Sequence, residues 1–140
     1  MSGFLLDTNV VSELVRPRPH AGVVRWISTT NESLLHLSVL TLGEIRKGIV
    51  SRPDAGRRAK LESWLHDLVL RFSSRILPID FAIADRWGRL SGHSKAKGVT
   101  LQVIDGLLAA TALHHDLVLV TRNVTDIRIT GVETFDPWTL

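Results

Sequence analysis

Apolar residues fall along this chain in two rhythms, short uninterrupted runs and longer stretches with helical spacing. Phe4-Leu5-Leu6 is a short run that ends at Asp7, and a brief apolar run bounded by polar residues predicts a buried strand. Val10, Val11, Leu14 and Val15 then recur at helical spacing. Pro17 and Pro19 stop that helix, because proline lacks the amide proton and clashes with the preceding turn. The same reading predicts a helix over residues 22–28, a strand over 34–39 and a helix over 41–50. Residues 54–72 predict a longer helix, with Leu61, Trp64, Leu65, Leu68, Val69 and Phe72 as its apolar stripe. Arg57, Arg58 and Lys60 begin its polar face. Residues 75–79 read as a strand, and 81–96 as a helix ended near Gly98, where glycine takes the left-handed cap conformation at no steric cost. An Ala- and Leu-rich helix over 104–114 follows, then strands over 117–120 and 132–135.

Strands that alternate with helices imply βαβ units, and hence an α/β fold whose mainly parallel sheet is flanked by helices. No linker, repeat or low-complexity tract breaks the pattern, so residues 1–140 read as one domain. In an open parallel sheet, ligands bind beyond the carboxyl ends of the strands. The residues just after each strand therefore carry the functional question.

Four acids stand at such places. Asp7 follows the first strand directly, and Asp126 lies just beyond the strand over 117–120. Glu44 and Asp105 fall in the first turns of helices. Each also has an ordinary structural explanation: Asp7 and Asp105 as helix N-caps, Thr41-Leu42-Gly43-Glu44 as a capping box, Asp126 as a turn residue. Caps have no reason to converge, however. Four carboxylates at one sheet edge repel and raise one another's pKa, a penalty that a divalent cation removes. Oxygen donors favour Mg²⁺ or Mn²⁺ over zinc. There is no cysteine to supply a thiolate. His114 and His115 are adjacent and point apart on a helix, and His20, His36, His66 and His93 lack the spacing of a helical zinc pair.

Composition narrows the picture further. A chain of 140 residues with 44% hydrophobic content builds a core and is not disordered. Its net charge of +3 and pI of about 10.0 suit a phosphate-bearing partner without specifying one. No apolar run approaches the roughly 20 residues needed to span a bilayer, and no basic segment precedes an apolar one at the N-terminus. A cytoplasmic location is expected.

The motifs Leu6-Asp7-Thr8-Asn9, Ser38-Val39-Leu40-Thr41-Leu42-Gly43-Glu44, Asp105-Gly106-Leu107-Leu108-Ala109-Ala110-Thr111-Ala112 and Val120-Thr121-Arg122-Asn123-Val124-Thr125-Asp126 occur in that order. Together they resemble PIN-domain toxins of the VapC and FitB-like group, over nearly the whole chain. The resemblance implies a Rossmann-like three-layer fold and a Mg²⁺-dependent ribonuclease that hydrolyses RNA with a metal-activated water. Asp7, Glu44 and Asp105 match the central metal-binding acids, and Asp126 the fourth, acting through water or at a second metal. Glu44 would orient the water, deprotonate it or ligate directly. Thr8, Asn9, Thr121 and Asn123 match polar neighbours that orient acids or water. Ile127 stands where the family often has Phe, and Asp136-Pro137-Trp138 where it often has Asn-Pro-Trp; neither change touches an acid. The resemblance also implies a cognate VapB-like antitoxin, operator DNA bound only through the antitoxin complex, and a homodimer.

Substrate needs cations around an acidic pit. Arg46, Lys47 and Arg122 lie nearest the acids in sequence and are the favoured candidates, ahead of Arg16, Arg18, Lys95 and Lys97. Trp26, Trp64, Trp87 and Trp138 either stack on bases or pack internally. The stripe of Trp64, Leu68 and Phe72 either lines an apolar groove for the antitoxin or faces the core. The chief alternative is a non-catalytic subunit of an autoregulatory complex on DNA. A phospho-accepting receiver domain fits poorly, since Asp7 has no acidic neighbour and Arg122-Asn123, not lysine, follows the late strand.

Overall fold

The computed structural model describes residues 3–140. Its strands are β1 (Phe4–Leu6), β2 (Leu35–Ser38), β3 (Ile76–Leu77), β4 (Val118–Val120) and β5 (Thr134–Phe135). Its helices are α1 (Thr8–Glu13), α2 (Ala21–Thr29), α3 (Val39–Val50), α4 (Ala55–Phe72), α5 (Phe81–Ala96), α6 (Val103–His114) and α7 (Val124–Ile127), with short 3₁₀ turns between. The sheet runs β3-β2-β1-β4-β5, and every pairing is parallel, with Phe4 opposite Leu35 and Val118, and Val120 opposite Phe135. This is the expected three-layer, Rossmann-like α/β architecture.

Strand side chains alternate between faces, and the two faces build two cores. Leu6, Leu35, Leu37 and Val120 pack against Val10, Val11, Val23, Ile27, Ile45 and Ile49 from α1, α2 and α3. Leu61, Leu65, Leu68 and Phe72 of α4 join the same core. Leu5 and Leu119 turn the other way, onto Leu108, Ala109 and Ala112 of α6 and Ile127 of α7. The small alanines let α6 lie close to the sheet. Most of the α4 stripe faces the core: Leu61, Leu65, Leu68 and Phe72 are buried and Trp64 packs against that core in part, while Val69 is exposed. Trp26 is also internal, its ring 5.0 Å from that of Phe4 and 5.2 Å from that of Phe135.

Several boundaries differ from expectation, each for a local reason. The helix expected at residue 41 begins at Val39, because Ser38 caps it, its hydroxyl accepting from the Leu40 amide at 3.1 Å. Thr41 is therefore a buried helical residue, and the capping-box reading of Thr41–Glu44 is corrected. The helix expected at 104 begins at Val103 after Gln102, so Asp105 sits in the first turn and is not the N-cap. The strand over 75–79 contracts to Ile76–Leu77, since Pro78 offers no amide to the ladder. The strand over 132–135 contracts to its last two residues. Helix α7 and the 3₁₀ turn Arg128–Thr130 were not anticipated, being too short to show a period. Among the described residues no helix is long and apolar enough to cross a membrane.

Candidate active site

The strand order reverses beside β1: β2 and β3 lie to one side, β4 and β5 to the other. The loops after β1 and β4 therefore part, leaving a crevice at the carboxyl edge. A cavity of about 560 Å³ opens there, lined by Asp7, Thr8, Asn9, Glu44, Gln102, Val103, Ile104, Asp105 and Asn123.

Asp7 is fixed from all sides. Its backbone amide continues the β1–β4 ladder to the Val120 carbonyl at 2.9 Å. One carboxylate oxygen caps α1, accepting from the Thr8 amide at 2.6 Å. The other accepts from the Thr121 hydroxyl at 2.7 Å and the Asn9 side-chain amide at 3.4 Å. Thr121 is buried, and its hydroxyl in turn accepts from the Asn123 amide at 3.0 Å. Burial pushes the Asp7 carboxyl above the usual carboxylate range; the Thr121 and Thr8 donors pull it back, and the Glu44 charge adds to the rise.

Glu44 reaches the same cleft from α3. The Thr8 hydroxyl donates to its Oε1 at 2.5 Å and lies 3.2 Å from the Thr41 hydroxyl. Asp105 arrives from the N-terminus of α6, half-buried. No side-chain or backbone donor reaches its carboxylate among the described residues, unlike those of Asp7 and Glu44. Its pKa is pushed up to about 6, first by burial and then by the charges of Asp7, Asp126 and Glu44. Asp126 is exposed on α7 and outside the lining of the cleft, but its charge is felt at Asp105. Gln102, Val103 and Ile104 were not anticipated as cleft residues. They form its wall because α6 starts earlier than its apolar period indicates, and they bring the positive end of a helix to the cleft.

The expected cations divide. Arg46 pairs with Glu62 of α4 on an exposed surface; two helical residues rotate it about 200° away from Glu44. Lys47 is exposed on α3. Arg122 follows β4 at the cleft's edge. Its amide donates to the Asn9 side chain at 3.4 Å, and its guanidinium stands 5.1 Å from the Trp138 ring centre.

The donor set suits a hard divalent ion: carboxylate, hydroxyl and amide groups with no thiolate or imidazole among the lining residues, and Asp105 unpaired beside three other negative charges. Among the described residues no three acidic or histidine side chains are spaced to grip one ion directly as they stand.

Residues 4–129 match the family model for the PIN domain. The chain is similar to Toxin FitB of Neisseria gonorrhoeae (strain ATCC 700825 / FA 1090), 34% identical across 96% of this chain and 97% of the relative. It is also similar to VapC ribonuclease Y4jK of Sinorhizobium fredii (strain NBRC 101917 / NGR234), 33% identical across 96% of each. Among solved structures, that of FitAcB from Neisseria gonorrhoeae superposes with a TM-score of 0.93 at 33% identity, covering 98% of this chain and 99% of the other. That of FitAB bound to an IR36 DNA fragment gives 0.91 at 33% identity, covering 98% and 96%.

Proposed function

The chain belongs to the PIN-domain family, and on that premise we propose that it is an endoribonuclease toxin, one PIN domain over residues 1–140, that hydrolyses RNA with Mg²⁺ or Mn²⁺ bound among Asp7, Glu44, Asp105 and Asp126. One observation carries the reading: three separate elements deliver Asp7, Glu44 and Asp105 to a single cleft at the point where the strand order reverses. The relatives named as a toxin and as a ribonuclease support the activity. The FitAB structure on DNA supports a VapB-like antitoxin partner and operator binding through that complex. A cytoplasmic homodimer belongs to the same proposal.

A divalent ion would supply Lewis acidity toward water and the phosphoryl oxygens. Asp105 offers it two carboxylate oxygens that no donor occupies. Asp7 offers it a carboxylate whose orientation the Thr8 amide and the Thr121 hydroxyl hold. Thr8 occupies Oε1 of Glu44 and leaves Oε2 to orient a water or take its proton. The first-turn amides of α6 present positive dipole to a phosphate. The test is cleavage of RNA by the purified chain. It should stop in EDTA, return with Mg²⁺ or Mn²⁺, and leave 5′-phosphate and 3′-hydroxyl ends. Cyclic 2′,3′-phosphate ends would overturn the water mechanism.

A further inference from the structure

A second cavity of about 580 Å³ adjoins the acidic cleft, and Glu44 is common to both walls. The two are joined by helical spacing. Thr8 and Ser12 of α1 lie four residues apart, as do Glu44 and Gly48 of α3; the first of each pair lines the cleft and the second lines the neighbouring cavity. Residues four apart share a helix face, so α1 and α3 flank one trench. A Cβ added at Gly48 would meet nothing within 4 Å, so the trench is open at that point. Arg52 lies just past the end of α3, its amide donating to the Ile49 carbonyl at 3.2 Å.

The trench ends among guanidiniums. Arg16, Arg52 and Arg57 line it, with Trp64 beside them, and among its described lining residues Glu44 is the one carboxylate. Arg57 is held in place, its Nη2 donating to the Val15 carbonyl at 2.9 Å. Arg16 stands 3.2 Å from the buried Glu13 carboxylate. The apolar floor of Ile45, Ile49 and Leu61 is at most 6% exposed, while Val15, Pro17 and Trp64 present apolar surface at its sides. What a ligand meets is positive charge, an indole and a bare stretch of helix. That is the chemistry of a single-stranded nucleic-acid backbone, with phosphates on cations and a base on an aromatic face.

Resting on the ribonuclease reading, we propose that this trench carries the RNA strand on one side of the bond cut in the acidic cleft, with Arg16, Arg52 and Arg57 holding its phosphates. It replaces Arg46, which lines neither cavity.

The experiment measures binding of a fluorescein-labelled single-stranded RNA of about ten nucleotides to the Asp7→Asn protein in Mg²⁺, over a range of salt. Arg52→Glu and Gly48→Leu should each weaken binding about tenfold or more, as expected for a lost phosphate contact and a blocked path. Arg52→Ala should lower the slope of log affinity against log salt by about 0.7, one released counterion. Melting curves should show that each variant folds. Unchanged RNA binding in Arg52→Glu and Gly48→Leu overturns the proposal; if the same variants lose the antitoxin instead, the trench docks the protein partner. No RNA bound by the Asp7→Asn parent also overturns it, while cleavage of that RNA by the unsubstituted chain keeps the ribonuclease reading. No cleavage by the unsubstituted chain in Mg²⁺ defeats both.

Discussion

Replacing Asp105 with asparagine should stabilise the metal-free protein at pH 8 and have little effect at pH 4. The carboxyl of Asp105 has an ordinary value of 3.8 and is held at about 6 in the folded chain. The folded state thus binds this proton more tightly than the unfolded state does. Below pH 4 both states are protonated and the shift costs nothing. Between pH 4 and 6 the unfolded state ionises first, and above pH 6 the full cost is present. The rise from 3.8 to about 6 corresponds to about 3 kcal/mol. Water reaches part of the side chain and screens it, which reduces the figure to about 1–1.5 kcal/mol. Asparagine also forfeits about 0.3–1 kcal/mol of carboxylate attraction to the N-terminus of α6. A net gain of about 0.6 kcal/mol remains at the middle of these ranges, a rise of roughly 2–3 °C in Tm for a chain of this size. Melting curves in EDTA at pH 8 and pH 4 read it directly. Adding Mg²⁺ should then raise the Tm of the unsubstituted protein by mass action and raise that of the variant much less. An equal Tm for both proteins at pH 8, together with no response to Mg²⁺, would show that Asp105 does not share a charged site with its three neighbours.

Other substitutions separate chemistry from scaffolding. Asp7→Asn should abolish RNA cleavage and growth arrest while binding antitoxin within about tenfold, since asparagine caps a helix about as well as aspartate; continued toxicity in a growth assay would point to a non-catalytic role. Thr8→Val removes the hydroxyl bonded to Glu44 and should lower kcat about 10–100-fold, the usual loss when a ligand's supporting hydrogen bond goes, whereas Thr8→Ser should keep most of it. Gly106→Ala places a methyl 2.9 Å from the Trp87 ring and 3.1 Å from Leu101. It should cost about 1–3 kcal/mol by overpacking the α5–α6 contact, read as a lower denaturant midpoint.

Hydrophobic spacing was enough to read the sheet's five strands and six of the seven helices, because every one of them buries a patterned face. What it missed had no pattern to show. Helix α7 is a single turn. The first residues of α3 and α6 are set by the caps Ser38 and Gln102, which lie outside the apolar period. Those small shifts matter for the site, since they remove Thr41 and Asp105 from their supposed capping roles and bring Gln102, Val103 and Ile104 to the cleft wall. Proximity in sequence was a poor guide to the cations. Arg46 lies two residues from Glu44 and faces away, whereas Arg52 lies eight residues away and lines a cavity that Glu44 also walls. Two residues on a helix nearly reverse the direction of a side chain, which turns Arg46 away, while Arg52 lies beyond the end of α3 and reaches the cavity from the segment before α4.

Asp7 shows why a capping explanation and a functional one need not compete. Its cap role is real, since one carboxylate oxygen accepts from the Thr8 amide. The cap stands at the carboxyl end of β1, next to the crevice between β1 and β4, and so the residue that starts α1 also faces the cleft. The hydrogen bonds from Thr8, Thr121 and Asn9 do two jobs at once. They satisfy helix and loop donors, and they hold a buried carboxylate at a fixed angle while burial raises its pKa. Asp105 is the complement, a carboxylate with no donor, in the first turn of α6, pushed up by burial and by its neighbours' charges. A protein selected for stability alone would pair or replace Asp105, as the ordinary rule for buried charge requires. Keeping it unpaired beside a fixed partner makes sense when a positive charge arrives from outside, as a divalent cation would.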